Sequence, residues 1–427
     1  MTLRYIRPGQ VCVEHLLEVP LDHDDPDGPL IELFAREVVA QQNADNRDLP
    51  WLLFLQGGPG SAADRPSSSS AWLHQALRNY RVLLLDQRGT GRSTPLNRQS
   101  LAGRTDAEAA AYLRHFRADA IVQDAELIRR QLLGDRPWSL LGQSFGGFCA
   151  MTYLSSAPQG LAEVMIAGGL PSLTAHPDQV YRAAYPRALA HTERFYTRYP
   201  GDRKVVRQVV DHLADNDIRL PSGERLSTER FQMSGLTFGM ASGFDNLHHL
   251  LELAFISAPG GPVLSDTFLR GVDRMVSMAG QPLYALLHES IYCQGTASSW
   301  SASRVRAEFD EFDLWHRAEV NFTAEMFYPW LFDQDPALRP LRGCADLLAA
   351  HDDWPRLYDP DRLAGNTVPV AAVVYFDDLY VDFAQSMVTA GQVRGLRPWV
   401  TNEHVHDGLS ARPAVFDRLR AMVRGEV

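Results

Sequence analysis

Ser144 lies in the run LLGQSFGGF (residues 140–148), flanked by Gly142, Gly146 and Gly147. A serine hydroxyl is a weak nucleophile until a base takes its proton and a third group fixes that base, so the chemistry implied is acyl transfer by a serine, histidine and carboxylate set. The G-x-S-x-G spacing suits this because small neighbours let a strand and a helix pass closely at a tight turn. The competing reading is a serine that merely caps a helix. Strand-like WSLL before it and helix-like FCAMTYL after it favour the nucleophile. Carboxylate and base candidates come late: Asp377 and Asp378 end AAVVYFDD, and His404 and His406 lie in TNEHVHDGL. Two histidines two apart can hold a metal in other settings, but no nearby cysteine or further ligand accompanies them, so no metal is expected. The loop LQGGPGSA (55–62) has neither the lysine of a P-loop nor the spacing of a dinucleotide fingerprint, so no cofactor is expected. Its use is to present the N–H of Gly58, or of Gly57, beside that of Phe145 as an oxyanion hole.

These residues need strands to carry them. WLLFLQ (51–56), RVLLLDQ (81–87), PWSLLGQ, LAEVMIAGGL (161–170) and TVPVAAVVYFDD (367–378) are short apolar runs ending in loops, the pattern of buried parallel strands. Residues 118–133 place Ile121, Ala125, Ile128 and Leu132 at helical spacing, and a helix follows Ser144 from Phe145 to about Ser156. Near the start, 12–19 and 30–39 read as a hairpin across DHDDPDG, and the chain closes with a helix at PAVFDRLRAMVRGE. Between 176 and 360 strand rhythm fades, and aromatic-rich stretches such as VRAEFDEFDLWHRAEVNFTAEMFYPWLF read as amphipathic helices. The order Ser, Asp, His along a βαβ series predicts an α/β-hydrolase fold: a mostly parallel central sheet with an inserted, mainly helical cap. The expected division is core 1–175, cap 176–360 and core 361–427.

At 427 residues with 45% hydrophobic and 22% charged side chains, the chain has an ordinary globular composition. Its net charge of −11 disfavours nucleic acid and anionic membranes as partners. No run of eighteen uncharged apolar residues exists and the start has no apolar leader, so a cytoplasmic protein is expected. Cys12, Cys149, Cys293 and Cys344 are widely separated and read as isolated thiols.

GGPG (57–60), DQRGTGRS (86–93), GQSFGG (142–147), YFDD and NEHVHDGL, in that order, resemble the proline iminopeptidase family of α/β-hydrolase serine peptidases. The resemblance spans most of the chain, and DQRGTGRS beside GGPG is its most specific part. It implies Ser144, Asp378 and His406 as the catalytic set and short peptides with an N-terminal proline as substrates. Family cap domains supply glutamates for the substrate's ammonium, which points here to Glu289 in LLHESIYC and Glu325 in FTAEMFYPW. Gln56 departs from the histidine that often precedes GGPG, and the insertion resembles that of a longer bacterial subgroup. An esterase or amidase with the same triad, and a silent hydrolase fold that only binds, are the competing readings.

Overall fold

The computed structural model describes residues 2–67, 71–315 and 319–427. Eleven strands are present among them: β1 Thr2–Arg7, β2 Gln10–Pro20, β3 Leu30–Ala40, β4 Trp51–Leu55, β5 Arg81–Asp86, β6 Trp138–Gln143, β7 Leu161–Ala167, β8 Phe255–Ala258, β9 Gly261–Leu264, β10 Val370–Tyr375 and β11 Leu396–Thr401. Nine of these build one sheet in the order β1-β2-β3-β5-β4-β6-β7-β10-β11. From β5 to β11 all neighbours run parallel, while β1, β2 and β3 add antiparallel strands at one side. This is the α/β-hydrolase architecture with its inserted helical cap.

Strand alternation sorts the apolar residues onto two faces. Leu53, Leu55, Leu83, Leu85, Leu140, Val164 and Ile166 join one core with Ile121, Ala125 and Ile128 of the helix Ala118–Leu133. Leu52, Phe54, Val82, Leu84, Leu141 and Met165 join the other, closed by Trp72 and by Val415, Phe416 and Leu419 of the terminal helix Pro413–Val423. Each such Val, Leu, Ile, Phe or Met side chain, fully buried, contributes about 1.5–3 kcal/mol. Both faces being covered explains why the central parallel strands β4, β5, β6, β7 and β10 are mostly apolar, while β11 at the sheet edge is largely exposed.

β7 and β10 are paired neighbours, Val164 opposite Val370, so everything between them is an excursion from the sheet. It begins with the helix Pro177–Arg198 and continues through Asp202–Asp215, Gly243–Leu251, Asp266–Val276 and Arg342–Ala350. Two features differ from the sequence-based expectation. The excursion contains a small antiparallel hairpin, β8 with β9, turned at Pro259 and Gly260. The stretch expected as a helix over 305–332 is mostly irregular, apart from the end of the short helix Ser301–Arg306 and the turns Asp310–Phe312 and Leu331–Gln334; residues 316–318 within it lie outside the described residues. Phe312, Phe322, Phe327, Tyr328 and Phe332 are buried while Trp315 is exposed, and polar side chains replace helical hydrogen bonds. Gln232 Nε2 donates to the carbonyls of Phe312 (3.2 Å) and Asn321 (2.8 Å), and Phe322 N donates to Thr192 Oγ1 (3.1 Å).

Candidate active site

Ser144 joins β6 to the helix Phe145–Ser156 with φ +53° and ψ −122°, a backbone conformation that costs a non-glycine residue about 1–3 kcal/mol. Tertiary contacts enforce it: Ser144 N donates to the Ala167 carbonyl at 2.9 Å, at the end of the neighbouring β7. The turn also depends on Gly146, where a Cβ would overlap the Leu55 carbonyl of β4. At the same strand end, Gly57 lies against Ser144: a Cβ built on it would lie 3.5 Å from Ser144 Oγ. Phe145 occupies the first position of the elbow helix, whose N–H has no partner within the helix. Gly58 follows Gly57 in the same loop with φ +133°.

DQRGTGRS does structural work around this loop. Gln87 Nε2 donates to the Gln56 carbonyl at 2.9 Å, and buried Asp86 receives both Nη atoms of Arg65 at 2.6 Å. Arg88 is buried and fully engaged, with Asp124 at 2.6 and 2.7 Å and the Leu21 and His115 carbonyls at 2.8 and 2.6 Å.

Asp378 and His406 come together. Both are buried, and His406 Nδ1 lies 3.0 and 2.9 Å from the two Asp378 carboxylate oxygens, leaving Nε2 as the nitrogen free for a proton from serine. Asp378 Oδ1 also accepts from the backbone N–H groups of Tyr380 (2.9 Å) and Val381 (3.1 Å). Burial works against a charged imidazole at His406, yet the Asp378 carboxylate outweighs it, helped by Glu325 and Asp407, and the net shift is upward. Tyr380 stands edge-on to the His406 ring at 4.6 Å. Asp377 points away, toward Arg194 Nη2 at 2.7 Å, and His404 is half-buried beside Trp399.

The two glutamates are held differently. Glu289 is buried, and its two oxygens accept from the N–H groups of Ser301 (3.0 Å) and Ala302 (2.8 Å), the first residues of the helix Ser301–Arg306. Glu325 accepts from Tyr284 Oη and lies 3.8 Å from His288 Nε2. Burial pushes its carboxyl up to about 7, against the opposing pull of the Tyr284 hydrogen bond and of His406. His288 offers no countercharge, because burial drives its own value down to about 3. Among the described residues no arginine or lysine pairs with Glu325.

Around Glu325 runs an aromatic wall that the sequence reading did not single out. Tyr284, His288 and Tyr292 recur every four residues, and Phe327 packs edge-on to Tyr284 (4.9 Å) and to His288 (5.0 Å). Tyr292 meets Phe148, which meets Phe145 next to Ser144. The wall is seated on the GGPG loop: Gly60 has φ +87°, and a Cβ there would lie 2.7 Å from Leu283 Cβ. The four-residue spacing in YALLHESIY is the signal that marks these residues in the sequence.

Comparison with known proteins places the chain among α/β-hydrolases. The model of the alpha/beta hydrolase fold family matches residues 50–211. A proline iminopeptidase of Aeromonas sobria is 47% identical over 419 residues, covering 98% of this chain and 97% of that protein. The proline iminopeptidase aneH of Aspergillus aculeatus is 36% identical over 424 residues, covering 94% and 92%.

Proposed function

The chain belongs to the proline iminopeptidase family of α/β-hydrolases, and from that premise we propose that it releases N-terminal proline from short peptides through an acyl-enzyme on Ser144. In this reading His406 Nε2 takes the Ser144 proton as Oγ attacks the prolyl carbonyl, and Asp378 holds the imidazole by Nδ1 and stabilises its charged form. The N–H of Phe145 and that of Gly58 or Gly57 receive the developing oxyanion, where preorganised donors act most strongly. His406 then protonates the departing amine, and water repeats the sequence on the acyl-enzyme. Residues 176–360 act as the cap over this site, with 1–175 and 361–427 as the core. Four separated, buried thiols suit a reducing compartment such as the cytoplasm.

The observation that carries the substrate assignment is Glu325. A buried carboxylate without a cation is costly, and here Glu325, close enough to His406 for each to feel the other's charge, is one, beside Tyr284 and the aromatic wall. A cationic prolyl nitrogen supplies the missing charge, and its ring fits against the Tyr284, Phe327 and Tyr292 surfaces. Glu289 accepts one backbone N–H on each oxygen at the start of the helix Ser301–Arg306, which leaves each oxygen a further acceptor site, and it is the second carboxylate proposed for the amine beside Glu325. A panel of aminoacyl naphthylamides tests the assignment. Proline is expected to be released fastest, with turnover abolished by Ser144→Ala; a panel in which prolyl turnover is negligible and another residue dominates rejects it.

A further inference from the structure

The first helix of the excursion, Pro177–Arg198, lies along the loop that carries Asp378. Arg187, His191 and Arg194 occupy one side of it at spacings of four and three residues, and each meets that loop. Arg187 Nη1 donates to the backbone carbonyl of Asp378 at 2.9 Å, while Nη2 pairs with the Asp382 carboxylate. Asp382 is itself fixed, because its Oδ1 accepts from Gln385 N at 2.6 Å and caps the helix Phe383–Gln392. His191 is buried against the carbonyls of Asp377 and Phe238. Arg194 pairs with Asp377 from a position about half exposed, where an ion pair contributes little.

The end of β10 provides weaker restraint. Asp378 N donates to the Tyr375 carbonyl at 3.3 Å, and the carboxylate direction is set by the two N–H groups from Tyr380 and Val381. The Asp378 carbonyl belongs to the peptide immediately before the two that carry those donors, and Arg187 grips that carbonyl.

We propose that Arg187 is a positioning residue: by holding the Asp378 carbonyl against Asp382 it fixes the Asp378 carboxylate on His406 Nδ1, so that docking of the excursion's first helix is a condition for a competent base. The inference rests on the reading of Ser144, His406 and Asp378 as the catalytic set. It does not require that the substrate be proline. A different side of the same helix buries Tyr181, Tyr185 and Ala188, so the helix has an apolar anchorage besides Arg187.

The test compares Arg187→Met, Arg187→Lys and Arg194→Met on two reactions, prolyl naphthylamide turnover and the rate of Ser144 labelling by a fluorophosphonate. Arg187→Met is expected to lower kcat and the labelling rate together by roughly 10–100-fold, the scale of a small misplacement of a catalytic group, with KM nearly unchanged. The acid limb of its kcat profile moves to lower pH, because a misaligned carboxylate stabilises the His406 imidazolium less; Glu325 and Asp407, which also face that ring, are untouched. Arg187→Lys recovers part of the rate and Arg194→Met stays near wild type. A folded Arg187→Met protein with wild-type kcat and pH limb overturns the proposal, as does a loss of kcat with an unmoved pH limb and no recovery by lysine. If Arg187→Met fails to fold, Asp382→Asn loosens the same clamp from its other end and is decided by the same readouts. A wild-type protein that labels at Ser144 but ignores prolyl amides would defeat the substrate assignment and leave the labelling comparison for Arg187 intact.

Discussion

At Glu325 the fold holds a carboxyl in a state it would not adopt in water, and stability and activity pull in opposite directions there. Its folded value near 7 lies above the ordinary 4.5, so the unfolded chain releases its proton first and the folded state loses stability as pH rises from about 4.5 through 7. Above that window the ionised, buried group costs on the order of 2–4 kcal/mol. Glu325→Gln is therefore expected to raise Tm at pH 8 and leave it close to wild type at pH 4, as thermal melts at the two pH values would show. The same substitution removes the partner of the substrate's ammonium, so kcat/KM on free prolyl amides falls by the equivalent of about 2–5 kcal/mol while reaction with a small neutral ester is almost unchanged. Equal losses on both substrates would make Glu325 structural. Two other choices at this scale are separable by substitution. His406→Ala should lower kcat by roughly 10³ or more and His404→Ala only slightly, since His406 alone of the two meets Asp378. Adjacent residues after a strand point to opposite sides, which is why Asp377 and Asp378 read alike in the sequence and part company in space. The residues of the aromatic wall are visible only through their four-residue spacing, and Arg187 leaves no local mark at all, acting on a loop 191 positions away.

Among the elements, the strand–turn–helix around Ser144 is the most legible, because its demands are local. An apolar run must end in small residues, and the structure places β6 at Trp138–Gln143 and the following helix at Phe145–Ser156. The helix Ala118–Leu133 and the β2–β3 hairpin are equally plain, since burial on one face imposes a period on the sequence. The stretch 305–332 misleads for the converse reason: Phe312, Phe322, Phe327, Tyr328 and Phe332 are buried from an irregular backbone, and Gln232 and Thr192, distant in sequence, satisfy its groups at Phe312, Asn321 and Phe322. β1 has no strong pattern of its own, being an edge strand with Leu3 and Ile6 exposed. The elbow's tightness gives a prediction that belongs to elements rather than to chemistry. A methyl at Gly146 must push the elbow helix away from β4, so Gly146→Ala should destabilise the fold by about 1–3 kcal/mol, read from denaturant midpoints, and reduce turnover through displacement of Ser144. Wild-type stability would show that the two elements have room to separate.

Across the whole molecule, one arrangement connects the excursion to the sheet at both halves of the chemistry. Leu283 and Tyr284 sit on the GGPG loop beside the nucleophile, and Arg187 and Arg194 reach the acid loop after β10. On the proposed function, the substrate's charge is read by Glu325 from the inserted segment while the bond is cut by residues carried on the sheet, so cleavage would require an amine at a fixed distance from the scissile carbonyl. A site roofed in this way favours short or unfolded peptides over folded chains. Among the described residues no helix is long and apolar enough to cross a membrane. The dependence on a free amine is the central claim, and the most direct measurement of it is kcat/KM for a prolyl naphthylamide against its N-acetylated counterpart, in the wild type and in Glu325→Gln. A strong preference of the wild type for the free amine, largely erased by Glu325→Gln, is the predicted result; equal turnover of the free and acetylated substrates by the wild type would contradict it.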